Sequence, residues 1–80
     1  MTRQELELMQ RFERDSHWFH ENIQILRKNF TWKIVAIKEG KVIASGKNME
    51  EVMAILNEKK ERPELIFMEV VYPEGYTLLL

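Results

Sequence analysis

Two histidines are the residues of this chain with the clearest potential for chemistry. His17 and His20 lie three positions apart, and Glu13 and Glu21 stand about one helical turn to either side. Side chains three or four positions apart on a helix can present imidazole and carboxylate groups to one metal ion. The zinc-protease order H-E-x-x-H is absent, because the stretch that begins at His20 ends in Gln24. Both histidines point away from the main apolar stripe, so we interpret them as solvated surface and predict no metal site.

Nucleophilic catalysis has little support in the serines and glycines. Ser16 precedes His17, but neighbouring residues on a helix do not face each other and cannot form a pair of nucleophile and base. Ser45 has no histidine predicted near it. The three glycines are isolated turn residues, and no phosphate-binding glycine motif is present. An 80-residue domain also leaves little room for a closed pocket, so we predict no enzyme activity, no cofactor and no small-molecule substrate.

A basic middle segment is the third candidate for chemistry. Residues 27–47 have a net charge of +5, between an N-terminal segment of −2 and a C-terminal segment of −4. Lysines beside aromatic residues such as Trp18, Trp32 and Tyr72 are typical of proteins that bind single-stranded nucleic acid. However, the apolar alternation places Trp32 and Tyr72 in the core or on a second sheet face, and the whole chain carries only −1, so we expect nucleic-acid binding not to be its main function. The weak anion-binding candidates are Lys33, Lys38, Lys41 and Lys47.

Length and composition bound the fold that must position these residues. The chain has 80 residues, no cysteine, 45% hydrophobic and 31% charged residues, which predicts one folded domain (residues 1–80) without disulfides or thiolate metal sites. A chain this short buries only about 60% of the surface that its unfolded form exposes, so association with another chain is one route to stability. A charged N-terminus and the lack of any apolar run near 20 residues predict a soluble, cytoplasmic protein without contact to a membrane.

The first thirty residues are predicted to form a helical leader. Thr2 and Glu5 fit a capping box, and Asn29 suits a helix end because it tolerates the left-handed conformation. Two interpretations stay open: a continuous helix, or two helices joined by a kink at Asp15-Ser16. The apolar stripe recurs at helical spacing and comprises Met9, Phe12, Phe19, Ile23, Leu26 and Phe30.

This leader is also predicted to carry a second apolar surface. Trp18 and Ile25 lie seven positions apart and fall about 100° from the centre of the main stripe. A helix that packs only on its own sheet needs one apolar face. The second face therefore favours contact with another chain.

The periodicity then changes and predicts an antiparallel hairpin. Residues 32–38 and 41–45 are rich in β-branched side chains and flank Glu39-Gly40. Two residues with glycine in second place, between strand-like runs, indicate a tight turn. Counting back from this turn places Val35 opposite Ala44 on one face of the sheet.

A helix and two further strands are predicted after the hairpin. Asn48 caps a helix over residues 48–61, with Glu51 as its capping-box partner. Residues 65–72 form the most apolar run and predict a central strand. A Pro and Gly turn then leads to a last strand over residues 76–80.

The sequence thus predicts an α+β fold in which a helical leader (residues 1–30) precedes a ββαββ core (residues 31–80). A right-handed crossover gives the strand order 2-1-3-4 with every neighbouring pair antiparallel. The helix at residues 48–61 covers one face of this sheet. The other face is left for the leader or for a second copy of the chain.

One stretch of the chain resembles a known family. From Trp32 to Val52 the sequence is W-K-I-V-A-I-K-E-G-K-V-I-A-S-G-K-N-M-E-E-V, and Asp15-Ser-His-Trp18 precedes it together with Asn22. An aromatic residue, V-A-I, an acidic-Gly-Lys hairpin and an acidic helix start resemble a short prokaryotic, largely archaeal, domain family of unknown function. The resemblance covers residues 15–72. It implies the fold order above and a prokaryotic cytoplasmic setting, and it implies no activity, cofactor or catalytic residue.

These observations predict a small protein-interaction module that self-associates as a homodimer. The motivating features are the two-sided leader and the apolar C-terminus, which exceed what one small monomer can cover. The alternative is a small regulatory or antitoxin-like protein that binds a partner protein or nucleic acid through its basic hairpin. The interface candidates are Phe12, Trp18, Phe19, Ile25, Leu78 and Leu80.

Overall fold

The computed structural model of the chain describes residues 1–76. The protein is an α+β structure with a long N-terminal helix and an antiparallel sheet, as the sequence predicts. A short 3-10 turn precedes the last strand, and no helix in the described part of the chain is both long enough and apolar enough to cross a membrane. The elements in chain order are α1 (Arg3–Glu21), α2 (Ile23–Phe30), β1 (Ile34–Lys38), β2 (Lys41–Gly46), α3 (Met49–Glu58), the 3-10 turn (Pro63–Leu65) and β3 (Phe67–Val70).

The sheet within residues 1–76 has three strands in the order β2-β1-β3. This order agrees with the first three positions of the predicted one, but the predicted four-strand ββαββ arrangement is not matched. Tyr76 lies outside any strand, and residues 77–80, the rest of the predicted fourth strand, lie outside the described residues. β3 is therefore at the edge of the described sheet, although its apolar sequence predicts a central strand.

The helical leader is divided at Asn22, and not at Asp15-Ser16. The backbone N–H of Asn22 donates to the carbonyl oxygen of Trp18 at 3.0 Å, and its side-chain amide donates to the same oxygen at 2.9 Å. Asn22 has φ −106° and ψ 16°, which separates α1 from α2. Asparagine favours such breaks because its side chain competes for backbone hydrogen bonds.

The hairpin has the predicted turn but a different register beyond it. Lys38 pairs with Lys41 across Glu39-Gly40, and both turn residues have positive φ, as a tight two-residue hairpin turn requires. A bulge follows the second pair, so that Val35 lies opposite Ser45. The predicted pairing of Val35 with Ala44 is therefore wrong, because the extra residue of a bulge shifts the partner strand by one.

α3 begins as predicted and ends earlier. The side chain of Asn48 accepts a hydrogen bond from the backbone N–H of Glu51 at 3.0 Å, which confirms the cap. At the other end the backbone N–H of Lys60 donates to the carbonyl oxygen of Asn57, and the backbone N–H of Glu61 donates to the carbonyl oxygen of Leu56. These two bonds are the pattern of a Schellman motif. This motif stops the helix at residue 58 rather than at the predicted residue 61.

The sheet is covered on both faces by its own chain. α1 and α2 lie on one face and α3 lies on the other, so the leader takes the face that the sequence left open between the leader and a second copy. The core under α1 and α2 contains Phe19, Leu26, Val35, Ile37 and Val71. The core under α3 contains Ala36, Ala44, Val52, Leu56 and Ile66.

Candidate interaction surfaces

The predicted interface residues on the leader lie in different environments. Phe19 is only 4% exposed and packs against Phe67, so its side chain belongs to the core and not to the accessible surface. Trp18 is half-buried and covers the hairpin turn: a Cβ added at Gly40 would lie 3.4 Å from its indole Nε1. Ile25 is 60% exposed. The C-terminal candidates Leu78 and Leu80 lie outside the described residues.

An apolar groove runs between the first helix and the edge strand, and we call it the α1–β3 groove. Phe12, the remaining interface candidate, is half-buried in its wall. The exposed thioether of Met9 stands beside it, and Glu13 is the acidic group of the wall. The groove is lined by Met9, Phe12, Glu13 and Ser16 from α1 and by Ile66, Phe67 and Met68.

The first half of α1 has almost no core of its own. Within this helix only Asp15 and Phe19 are buried, and both belong to its second half. Leu6 is 47% exposed and Met9 is 52% exposed, although both are apolar. The N-terminal three turns thus carry apolar side chains that the described chain covers only in part.

The turn that leads into β3 carries a surface ion pair next to this helix. The Nε of Arg62 lies 3.0 Å from Oε1 of Glu64. The pKa of Glu64 is lowered from its ordinary value, chiefly by a hydrogen bond from its own backbone amide; desolvation opposes this shift, and the hydrogen bond and charge of Arg62 add to it. Because the pair is well exposed to solvent, it contributes little to folding stability.

Three aromatic rings meet on the surface where β1 begins and β3 ends, and we call them the aromatic cluster: Trp32, Tyr72 and Tyr76. Trp32 lies edge to face with Tyr76, with centroids 5.0 Å apart, and with Tyr72 at 5.9 Å. The two tyrosines stack at 4.9 Å with planes 11° apart. Trp32 is 54% exposed, so the sequence-based placement of its side chain in the core or on a second sheet face is wrong.

Basic residues border the aromatic cluster. Arg27 Nε donates to the carbonyl oxygen of Tyr72 at 2.9 Å, and Thr31 Oγ1 in turn donates to the carbonyl oxygen of Arg27. Lys33 follows Trp32 directly in the chain. Arg27 thus contacts the backbone of one cluster residue, and Lys33 is the chain neighbour of another.

The four lysines predicted as anion-binding candidates do not form one patch. Lys38 and Lys41 are paired neighbours at the turn of the hairpin, and Lys38 is engaged by Glu61, with Nζ 2.8 Å from Oε2. Lys33 and Lys47 flank the pair of Ile34 and Gly46 at the opposite end. Only this second pair of lysines lies at the end of the hairpin where the aromatic cluster stands.

The two histidines lie on the exposed face of α1. The Nε2 of His17 contacts a carboxylate oxygen of Glu21, and the Nδ1 of His20 lies 2.8 Å from the carbonyl oxygen of Ser16. No group of three or more metal-ligating side chains is found in residues 1–76. The histidine contacts are thus local contacts along one helix.

One buried carboxylate is a feature that the sequence reasoning missed. Asp15 is 5% exposed, and its Oδ1 has no hydrogen-bond partner within the described residues. Asp15 precedes Ser16, the polar residue that interrupts the apolar stripe of the leader. From the sequence alone, the position of Asp15 next to this gap indicates a helix cap, and its burial is set by the fold.

A comparison with protein families matches residues 27–69 to a family of unknown function, DUF5678. The chain belongs to this family. The DUF5678 match spans just over half of the chain and runs from the second half of α2 to β3. No curated protein and no solved structure matches the chain. The resemblance to a family of unknown function is confirmed, while its archaeal origin and the specific hairpin motif stay predictions.

The DUF5678 match includes part of the aromatic cluster and part of the α1–β3 groove. Trp32 and the basic residues beside it lie within the match, whereas Tyr72 and Tyr76 follow it. The α1 wall of the α1–β3 groove lies before the match, and the β3 wall lies within it. A DUF5678 core thus supplies one part of each surface, and flanking segments of this chain supply the other.

Proposed function

We propose that this chain is a protein-interaction module, without enzyme activity of its own, that associates with a second copy of itself through the α1–β3 groove. The observation that carries the proposal is the groove itself, which is lined by apolar side chains that include Met9. Met9 is about half exposed, as is Leu6 one turn earlier on α1. Exposed apolar patches of this kind are typical of surfaces that bind other proteins.

The edge strand supports the same surface. β3 pairs with β1 on one side, and no strand lies on its other side within residues 1–76. The α1–β3 groove includes Phe67 and Met68 of this strand, so its wall combines an apolar helix face with apolar strand side chains.

The first half of α1 also favours an added partner. Isolated helical segments of this length are marginal in water, and most helix stability in proteins comes from packing of an apolar face. The buried residues of α1 all lie in its second half. A partner that covers Leu6 and Met9 would supply the packing that the first half lacks.

A second copy is the occupant that fits this surface best, because the groove and the side chains suited to fill it lie side by side. A two-fold axis beside α1 would place Met9 of each protomer in the groove of the other. Such an isologous contact uses the same patch twice and closes at two subunits. The association would therefore be a dimer rather than an open array.

Light scattering on the full chain and a matched pair of variants tests this proposal. The wild type is expected at twice 9.7 kDa at high micromolar concentration. Met9→Lys is expected at 9.7 kDa, because it places a charge in the groove while Glu5 and Glu13, four positions away on either side, support lysine in the helix. Met49→Lys is the control. Met49 is also a helical methionine of similar exposure, 47% against 52% for Met9, but it lies on α3 and away from the groove.

The control variant is expected to remain a dimer. A monomeric wild type at the same concentration would contradict self-association. A wild-type dimer that persists in Met9→Lys would place the interface elsewhere. Circular dichroism of each variant confirms that the helices are retained, so that a monomer is not mistaken for an unfolded chain.

A further inference from the structure

We infer that the aromatic cluster is a binding site for single-stranded nucleic acid, in which a base stacks on Trp32 and neighbouring basic side chains contact phosphates. The inference goes beyond the proposed self-association and uses a different surface. It rests on three observations: the backbone conformation of Trp32, the arrangement of the three rings, and the charges beside them.

Trp32 is placed on the surface by an unusual backbone conformation. Its φ of 66° lies in the left-handed region, which bulky residues rarely adopt. The N–H of Trp32 donates to the carbonyl oxygen of Val71 at 2.7 Å, and the N–H of Val71 donates to the carbonyl oxygen of Lys33 at 2.9 Å. These bonds hold the strained residue in place while 54% of Trp32 stays exposed. Trp32 is the third residue of a type II turn, in which the N–H of Lys33 donates to the carbonyl oxygen of Phe30 at 2.8 Å. Such a turn requires positive φ at this position and usually has glycine there, so a tryptophan adds backbone strain while its ring stays exposed.

The packing of the rings restricts the shape of a ligand. Aromatic pairs in direct contact have centroids about 4.5–7 Å apart, and the three pairs here lie at 4.9, 5.0 and 5.9 Å. Because the rings fill the space between one another, no slot remains between them for a proline ring of a peptide. A ligand must instead lie flat on an outer face, as a nucleobase does when it stacks.

The charges beside the cluster favour an anionic ligand. Arg27 is bonded to the carbonyl oxygen of Tyr72, Lys33 follows Trp32, and Lys47 lies at the same end of the hairpin. Two carboxylates lie near these basic residues: Glu74 in the turn between the two tyrosines, and Glu51, which accepts a hydrogen bond from the backbone N–H of Lys47 at 2.7 Å. A ligand that combines flat rings with repeated negative charge is a single-stranded nucleic acid, whereas a duplex hides the faces of its bases.

Fluorescence anisotropy with labelled oligouridine and oligothymidine tests the inference on the full chain. Strands of about 12 nucleotides match the usual site size, and a salt concentration near 50 mM keeps phosphate contacts strong. Binding to both strands indicates a site for bases and phosphates, and binding to oligouridine alone narrows the ligand to RNA. Polyglutamate of similar charge is the competitor that reports simple attraction of polyanions.

Variants at Trp32 separate stacking from charge. Trp32→Leu is expected to weaken binding about 10-fold or more, because it removes the ring but keeps an apolar side chain. Trp32→Phe is expected to stay within about 3-fold of the wild type, since a ring remains available for stacking. Lys33→Gln is expected to reduce the salt slope of the binding constant by about 1, and Lys41→Gln, at the other end of the hairpin, is expected to leave it unchanged.

A spectroscopic readout does not depend on any loss of binding. Trp18→Phe leaves Trp32 as the only tryptophan and keeps a ring over Gly40. Oligonucleotide binding is expected to quench the fluorescence of this variant. Any one of three results would overturn the inference: no binding at about 100 µM protein and low salt, unchanged affinity in a folded Trp32→Leu variant, or full competition by polyglutamate. The Met9→Lys variant is expected to bind normally, so failure of the dimer proposal and failure of this one remain distinguishable.

Discussion

Three non-glycine residues within residues 1–76 have left-handed backbone, and each stands in a turn that requires it. Glu39 has φ 51° in the hairpin turn, and Lys60 has φ 60° at the end of α3. Turn geometry and the Schellman motif demand positive φ at these positions, where Asn or Gly is usual. Trp32, with φ 66°, is the third residue of a type II turn from Phe30 to Lys33, where glycine is usual. It is the one residue of the three that carries a large aromatic side chain, and this side chain is exposed.

Lys60→Gly is expected to stabilise the fold by about 1 kcal/mol, because glycine adopts the left-handed conformation without a Cβ clash. Glu58→Gly, two residues earlier and inside α3, is expected to destabilise it by about 1 kcal/mol, since glycine there only adds flexibility to the unfolded chain. Urea unfolding of both variants measures the difference. A destabilising Lys60→Gly would contradict the assigned end of the helix.

At the scale of elements, the sequence correctly predicts the helix caps, which depend on residues that are close together in the chain. Thr2 accepts a hydrogen bond from the backbone of Glu5 and Asn48 does the same for Glu51, as the capping signals indicate. The break of the leader at Asn22 was not predicted, because any of several polar residues satisfies the local rules for a break. The bulge in the hairpin was missed for a related reason: a bulge depends on which side chains the two faces must bury, and only tertiary packing decides that.

The junction between β2 and α3 has no room for a larger residue. A Cβ added at Gly46 would lie 2.6 Å from the Cβ of Glu51, whose carboxylate accepts a hydrogen bond from the backbone N–H of Lys47 at 2.7 Å. Gly46→Ala is therefore expected to cost about 1–3 kcal/mol of stability through overpacking. Ser45→Ala, its neighbour in β2, is expected to change stability by less than about 0.5 kcal/mol. Thermal unfolding of the two variants provides the comparison, and equal melting temperatures would contradict the close approach.

At the scale of the whole molecule, the sequence predicts the α+β class and the surplus of apolar surface but not its location. Helical spacing assigned the second face to Trp18 and Ile25, yet the hairpin turn lies under Trp18. Phe19 is part of the core. Met9, assigned to the core stripe from the sequence, is instead exposed beside the groove. A periodic pattern identifies which residues share a face, but how far a sheet extends beneath a helix decides which of them are covered.

The folding stability of a chain that dimerises is coupled to its association. If folded chains pair, the melting temperature must rise with protein concentration, because association removes folded monomer from the unfolding equilibrium. A tenfold increase in concentration is worth about 1.4 kcal/mol per dimer, or about 0.7 kcal/mol per chain. For a domain of this size that corresponds to a rise of about 3–6 °C in the wild type and in Met49→Lys.

Met9→Lys is expected to melt at a lower temperature that does not change with concentration, since its first helix would lack the partner that covers it. Scanning calorimetry over a hundredfold range of concentration measures both quantities. A wild-type melting temperature that is independent of concentration would show that the 80-residue chain reaches its stability alone. The exposed first half of α1 would then have to be held by its contacts with the edge of its own sheet.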